Sequence, residues 1–468
     1  MTGNTHNQMP ADSRPILWII LISFSMLVVD NSIVFTGLSK IQSDLEFTDE
    51  GLSWITSLYA LTFGGFLLLG ARAGDVFGRR FMFAVGLMVF SLSSAAIAFA
   101  PSPAVLVVAR GIQGLGAAIV APSTLSLLQA EFPAGELRVR ALSYYAATGG
   151  VSASIGLVIG GLFAGLLSWR IGFFINVPIG LLLIWALRRY GHPDDATPGR
   201  IDGLGAFTSI FAIGAMLLGI ERAASVGWTD RWTLLSLVAS VALFAAFVSV
   251  QMRVAVPLIP LRLFASTERS ASYVARALFL GANIGFYFFI SQYMQGVVGM
   301  SAATAGLAFL PSTIVNFAAA MWAPRLIRRI GGANTMMFTI GCGLVGMLML
   351  AFLTPSSGYW SALFVPMMLI GLGQGGTLAP LTASGITGVD RQDAGAASGL
   401  VNVSHQVGTS LGIAIITAYA STAGANLGGA DLLSDRVRLA MQASSVMMIM
   451  TLLIVAVFIL GRKKPAAA

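Results

Sequence analysis

Long apolar runs recur along almost the whole chain, each about twenty residues long and each closed by a short polar or basic break. About 20 apolar residues carry a helix across a bilayer. The pattern therefore predicts fourteen spanning helices, near 16–38, 51–72, 81–101, 104–129, 141–166, 172–190, 203–222, 232–252, 271–297, 302–324, 335–353, 360–386, 395–421 and 440–461. Most breaks are short, so neighbouring helices are expected to pack antiparallel. Two longer polar breaks, around GHPDDATPGR and RVAVPLIPLRLFASTERS, divide the pattern. The resulting layout is a tail (1–15), a six-helix bundle (16–190), a linker (191–202), an inserted two-helix hairpin (203–252), a second linker (253–270), a second six-helix bundle (271–461) and a short tail (462–468). The expected fold class is an all-α membrane protein.

Composition agrees. The 468 residues are 56% hydrophobic and 10% charged, with a mean hydropathy of +0.84, whereas soluble domains carry roughly 25% charged residues. The net charge of +8 does not indicate a nucleic-acid partner, because most bases sit in the short breaks between apolar runs, where membrane topology explains them. With the N-terminus inside, nineteen Lys and Arg residues fall in inner segments and six in outer ones. That bias places both termini in the cytoplasm. The first apolar run lacks a small-residue cleavage site and reads as a retained spanner. Cys342 is the single cysteine, which excludes an intrachain disulfide, and His6, His192 and His405 are scattered. No metal site, nucleophile–base pair, HExxH or nucleotide-binding loop is visible, so neither a cofactor nor enzymatic activity is expected.

The informative residues are the charges inside the apolar runs, because a charge at the bilayer centre costs at least about 2.5–3.5 kcal/mol on insertion scales. Asp30 is the one acid well inside a spanner. It lies eight residues before the outer end of the first run, about 12 Å deep. Arg110 lies six residues into the fourth run, about 9 Å deep, so the two are expected at similar depths. Burial favours a neutral carboxyl and a neighbouring arginine favours the carboxylate. Moving Arg110 relative to Asp30 would therefore make a proton switch, and the ionised carboxylate could attract a cationic substrate. A static buried pair that orients the helices is the alternative. Gln113, Gly114 and Ala117 share the Arg110 face of the helix and could form a cavity wall. Asn283, Tyr287 and Gln374 are polar candidates for the second bundle. His405, near mid-depth in the thirteenth run, could titrate or bind substrate, or pack as a neutral histidine. Arg276, five residues into the ninth run, is expected to snorkel to the inner surface.

The break GARAGDVFGRR (70–80) holds Asp75, Gly78, Arg79 and Arg80, and a basic, Gly-ended echo, PRLIRRIGG, follows the second helix of the second bundle without the acid. Glycines can let the chain turn and helices approach. Asp75 can meet Arg79, Arg80 or the N-terminal dipole of another helix. The fifth run carries Gly156, Gly160 and Gly161 at spacings that permit close packing.

These motifs resemble the fourteen-spanner drug:proton antiporters of the major facilitator superfamily. The resemblance rests on GARAGDVFGRR, LVVDNSIVFTGLSKIQSDL (28–45), RGIQGLGAA (110–118), SWRIGFFINVPIG (168–180) and GAASGLVNVSHQVGTSLGIA (395–414), and it covers nearly the whole chain. It implies a proton-coupled exporter of lipophilic drugs, dyes or biocides working by alternating access in the bacterial cytoplasmic membrane. A functional monomer is expected, its partners being the lipid bilayer, protons and a lipophilic, monocationic or neutral small-molecule substrate. The polar and charged residues inside the runs are the candidates for proton coupling (Asp30, Arg110) and for a substrate cavity (Asp30, Gln113, Asn283, Tyr287, His405), and the resemblance implies a conformational latch at Asp75, Gly78, Arg79 and Arg80 and a helix-five hinge at Gly156, Gly160 and Gly161. One departure bears on coupling: Leu157 stands where the antiporter signature has proline. A specific endogenous metabolite as cargo, or proton-coupled import, remain the alternatives.

Overall fold

The structure is a computed structural model that describes residues 13–47, 49–133, 135–191, 202–255, 257–390, 393–424 and 429–460. Its α-helices, in chain order, are α1 (Ser13–Leu45), α2 (Asp49–Phe77), α3 (Arg79–Ala98), α4 (Pro103–Glu131), α5 (Glu136–Leu166), α6 (Trp169–Phe174), α7 (Asn176–Tyr190), α8 (Gly203–Val226), α9 (Arg231–Gln251), α10 (Thr267–Gly296), α11 (Ala302–Ala308), α12 (Leu310–Ile330), α13 (Gly332–Leu350), α14 (Phe364–Ile386), α15 (Ala394–Ala420) and α16 (Gly429–Ile454). Among the described residues no strand occurs. Thirteen helical stretches among the described residues are long and apolar enough to cross a membrane, and they coincide with thirteen of the fourteen expected spanners. The remaining one, 141–166, falls within α5, several of whose side chains lie outside the described residues. The tails, the linker 192–201 and residues 391–392 also lie outside them.

Helix ends follow local chemistry. Ser102 precedes α4 in an extended conformation with Pro103 in its first turn, where the missing N–H costs nothing. Ser168 accepts a hydrogen bond from the Arg170 N–H to open α6, and α6 and α7 are separated only at Ile175. Asp230 accepts from the Trp232 and Thr233 N–H groups at the start of α9 and pairs with Arg222 at 3.2 Å. Those donors hold its carboxyl below the usual carboxylate range. Gly78 (φ 97°) and Gly331 (φ 84°) open α3 and α13 with backbone angles that L-residues rarely adopt.

The chain forms two compact units. The first comprises Met1–Gly219, Leu234–Leu261 and Gly388–Val403; the second comprises Ile220–Thr233, Arg262–Thr387 and Ser404–Ala468. In the first, α2 and α3 pack on α4, and α1 packs on α5 and α7. In the second, α12 and α13 pack on α14, and α10 packs on α16. The α2/α3/α4 and α12/α13/α14 groups are thus one motif used twice, and a shared phrase marks it. GLG (114–116) stands shortly before Ala121-Pro122 in α4, and GLG (371–373) shortly before Ala379-Pro380 in α14. The hairpin helices α8 and α9 are joined within the first unit by a bond from Ser240 Oγ to the Ala212 carbonyl. Asp202 ties the start of α8 to the end of α9, accepting from the Gly205 N–H and from Gln251 Nε2.

Candidate functional site

Asp30 and Arg110 meet. The guanidinium Nη1 of Arg110 donates to Asp30 Oδ2 at 2.8 Å and to Gln113 Oε1 at 2.6 Å. Asp30 is 1% exposed and Arg110 fully buried. The other carboxylate oxygen, Oδ1, accepts from Gln113 Nε2 at 2.9 Å and from Asn176 Nδ2 at 2.7 Å. Both amides also reach Ser94 Oγ, at 2.8 and 3.3 Å. Arg110 Nε donates to the Ile55 carbonyl, and its guanidinium lies 4.1 Å from the centre of the Tyr59 ring. Five helices of the first unit, α1, α2, α3, α4 and α7, therefore converge on one ion pair. Such pairing is what a buried charge needs to persist. Because these bonds tie α1 to α4 and to α7, adding a proton to the carboxylate would loosen the hold of α1 on both.

The Gln113 face of α4 is enclosed. A Cβ on Gly114 would sit 2.1 Å from Thr62 Oγ1 and 2.6 Å from the Tyr59 carbonyl, and one on Gly111 would touch Leu58. Together with buried Ala117, these small residues place the face against α2 rather than on an open wall.

The second unit holds a different polar cluster. Gln374 Nε2 donates to Asn283 Oδ1 at 2.6 Å, and Gln374 Oε1 accepts from Tyr287 Oη at 2.9 Å and from Asn316 Nδ2 at 3.1 Å. Helices α10, α12 and α14 meet there through uncharged groups alone. His405 lies on α15 within electrostatic reach of Arg276 and is half-buried. Arg276 does not snorkel to a surface. It is 8% exposed and donates to Thr382 Oγ1 at 2.7 Å, because the α14 hydroxyl offers a nearer partner inside the unit.

The GARAGDVFGRR break divides its labour. Asp75 pairs with Arg79 at 3.3 Å, one helical turn on. The carboxylate also packs on the first turn of α15: a Cβ on Gly395 would fall 2.3 Å from Asp75 Oδ2. The partial positive charge at that helix end suits an anion. Gly399 repeats the close approach one turn later, where its Cβ would lie 3.0 Å from the Ala71 Cβ. Arg80 turns elsewhere and donates from Nη2 to the Leu187 carbonyl near the end of α7 at 2.8 Å. Nearby, Gln129 Nε2 donates to Ser398 Oγ at 2.8 Å. Gly156 of α5 sits against α1, where a Cβ would lie 2.6 Å from Ser32 Cβ. Gly160 is buried, while the surroundings of Gly161 and Leu157 lie outside the described residues.

Sequence reasoning missed Ser94, Asn176, Asn316 and Ser398. Asn176 was findable, since it lies inside SWRIGFFINVPIG (168–180); the others are small or neutral residues without a signature.

A polytopic helical chain with a charged pair sealed inside one unit has the character of a membrane transporter, and comparison with known proteins makes the class specific. The chain matches the Major Facilitator Superfamily over residues 20–413 and belongs to it. It is 34% identical over 420 residues to the cephamycin export protein of Amycolatopsis lactamdurans, covering 89% of this chain and 86% of that one. It is 34% identical over 413 residues to the puromycin resistance protein of Streptomyces alboniger (87% and 82%). It is 30% identical over 392 residues to the multidrug resistance protein Stp of Mycobacterium tuberculosis (84% and 73%). Among solved structures, the human organic anion transporter MFSD10 superposes with a TM-score of 0.67 at 12% identity, covering 96% of this chain and 100% of that one. This last likeness is one of fold. The protein is an integral membrane transporter of all-helical major facilitator architecture.

Proposed function

We propose that the protein is a proton-coupled exporter of lipophilic small molecules, monocationic or neutral, in the class of antibiotics, dyes and biocides. The observation that carries this is the sealed Asp30–Arg110–Gln113–Asn176 cluster, together with relatives named for antibiotic export or resistance. In this reading Asp30 exchanges a proton as the helices around it rearrange. Protonation weakens its hold on Arg110, and the released arginine lets α4 shift against α1. A cationic substrate competes with the proton for the same carboxylate, and that competition yields antiport. The neutral Asn283–Gln374–Tyr287 cluster contributes hydrogen bonds to cargo, and His405 serves as a further polar group of the same unit. Asp75, paired with Arg79 and seated on the first turn of α15, acts as the cytoplasmic latch, Gly78 supplies the turn, and Arg80 anchors α7. The protein needs no cofactor and works as a monomer in the bacterial cytoplasmic membrane, with both termini inside.

The test is dye efflux from a pump-deficient host, with wild type compared to Asp30→Asn at equal membrane abundance. Wild-type efflux should collapse with a protonophore, and the variant should lose it. Efflux that persists in Asp30→Asn would remove the carboxylate from coupling. Proton-driven accumulation of dye in vesicles of known orientation separates export from import. A transporter that moves no dye but confers resistance in its own host to a self-made metabolite would carry the narrower cargo.

A further inference from the structure

A groove of about 450 Å³ lies in the second unit between α12, α13 and α14. Its cause is a set of small residues. Gly375 and Gly376 bring both neighbouring helices onto the backbone of α14: Cβ atoms there would lie 2.0 Å from the Asn316 carbonyl and 2.3 Å from Thr339 Cγ2. Facing them, α12 presents Ala318, Ala319 and Ala323, so no side chain fills the space above α14. Trp322 and Phe338 line it too, each 52% exposed. Thr339, its one hydroxyl, is already bonded to the Thr335 carbonyl and to Thr377. Water would find almost no partner there.

Two features define an occupant. The lining residues of α12 run from Val315 to Leu326, which is about 16 Å at 1.5 Å per residue. That is close to one leaflet's share of a roughly 30 Å hydrocarbon core. The groove also contains Arg325, an exposed guanidinium in the basic end of α12 with Arg328 and Arg329 beyond it. Among the described residues no carboxylate forms an ion pair with Arg325. An apolar trench one leaflet deep with a guanidinium at its end matches a phosphodiester on an acyl chain.

We propose that this groove is a binding site for an anionic glycerophospholipid, one acyl chain lying along Ala318–Ala319–Ala323 and the phosphate on Arg325. The site is independent of the transport reading. A bilayer-derived lipid there would fill the space between α12 and α13 and fix α12 against α14.

Native mass spectrometry of the full chain, delipidated in mild detergent and titrated with palmitoyl-oleoyl phosphatidylglycerol or phosphatidylcholine, tests it. Wild type should retain one phosphatidylglycerol with roughly tenfold preference, equivalent to about 1.4 kcal/mol. Ala318→Phe, which fills the trench from its exposed side, should abolish that retention. Arg325→Gln should keep a bound lipid and lose the headgroup preference. Ile314→Phe, exposed and outside the groove, should bind as wild type. Equal retention of both lipids by wild type, or retention unchanged in Ala318→Phe, overturns the proposal. So does displacement of the lipid by a transported dye, which makes the groove a cargo site, or a dimer that Ala318→Phe disperses, which makes it an interface.

Discussion

The two units solve the same packing problem with different chemistry. Each gathers its polar side chains where a GLG-bearing helix meets its neighbours. In the first, Arg110 stands four residues before the GLG of α4 and finds Asp30. In the second, Met367 stands four residues before the GLG of α14, buried among apolar neighbours, and the polar work falls to Gln374 just after it. The first cluster therefore holds a carboxylate that a proton can neutralise, whereas the second holds amides and one phenol, none of which carries charge near neutral pH. A repeated scaffold thus holds an ionic cluster in one unit and an uncharged hydrogen-bonded one in the other.

The largest effect should come from making the first cluster like the second. Arg110→Met leaves a buried carboxylate without its cation, and breaking such a pair costs about 3–5 kcal/mol. Thermal unfolding in detergent should show that loss, with transport abolished. The pair Asp30→Asn/Arg110→Met should regain most of the stability and none of the proton-driven transport. Gln374→Met, by contrast, strands only neutral partners, at about 1–3 kcal/mol. Equal losses from Arg110→Met and Gln374→Met would erase the distinction between the clusters.

Next comes the seat of Asp75 on Gly395 in the first unit. Gly395→Ala drives a methyl into the Asp75 carboxylate, and uptake-corrected efflux should fall at least several-fold while the protein remains folded. Gly399→Ala, which meets Ala71 Cβ at 3.0 Å, should be milder. If Gly399→Ala is the more damaging of the two, packing of α15 matters and the carboxylate does not.

The glycine turns sharpen the comparison at lower amplitude. Gly78→Ala and Gly331→Ala each force an alanine into a backbone region that costs about 1–3 kcal/mol, so their melting temperatures should drop alike. Only Gly78, next to the Asp75–Arg79 pair, should also alter transport. Matching transport defects would mean that both turns serve shape alone.

What could be read in the chain divides along the same line. Spanners were legible because twenty apolar residues in a row have few other uses. Asp30 and Arg110 were legible because charges rarely survive in such runs, and depth counted from helix ends brought them level. Their neutral partners Ser94 and Asn176 carry no such penalty and did not stand out. The seat of Asp75 on Gly395 joins residues 320 apart in sequence, and no local pattern records that. The resemblance groups Arg80 with the latch, yet one residue along a helix is a rotation of about 100°, and the Arg80 guanidinium reaches the Leu187 carbonyl of α7, a partner far away in sequence. Arg276 was expected at a surface because the hydroxyl of Thr382, on another helix, was invisible as its partner.

The smallest effect tests the neutral cluster on its own terms. Tyr287→Phe removes one donor to Gln374 Oε1, which Asn316 Nδ2 still serves. The stability cost should be roughly 0.5–1.5 kcal/mol. If these groups meet cargo, the order in which a panel of dyes is exported should change, because losing a hydroxyl penalises hydrogen-bonding substrates more than purely apolar ones. Protonophore sensitivity should stay as in wild type, since the Asp30 pair belongs to the other unit. A uniform fall across the panel would instead make Tyr287 a packing residue, and the charged cluster would then have to supply selectivity as well as coupling.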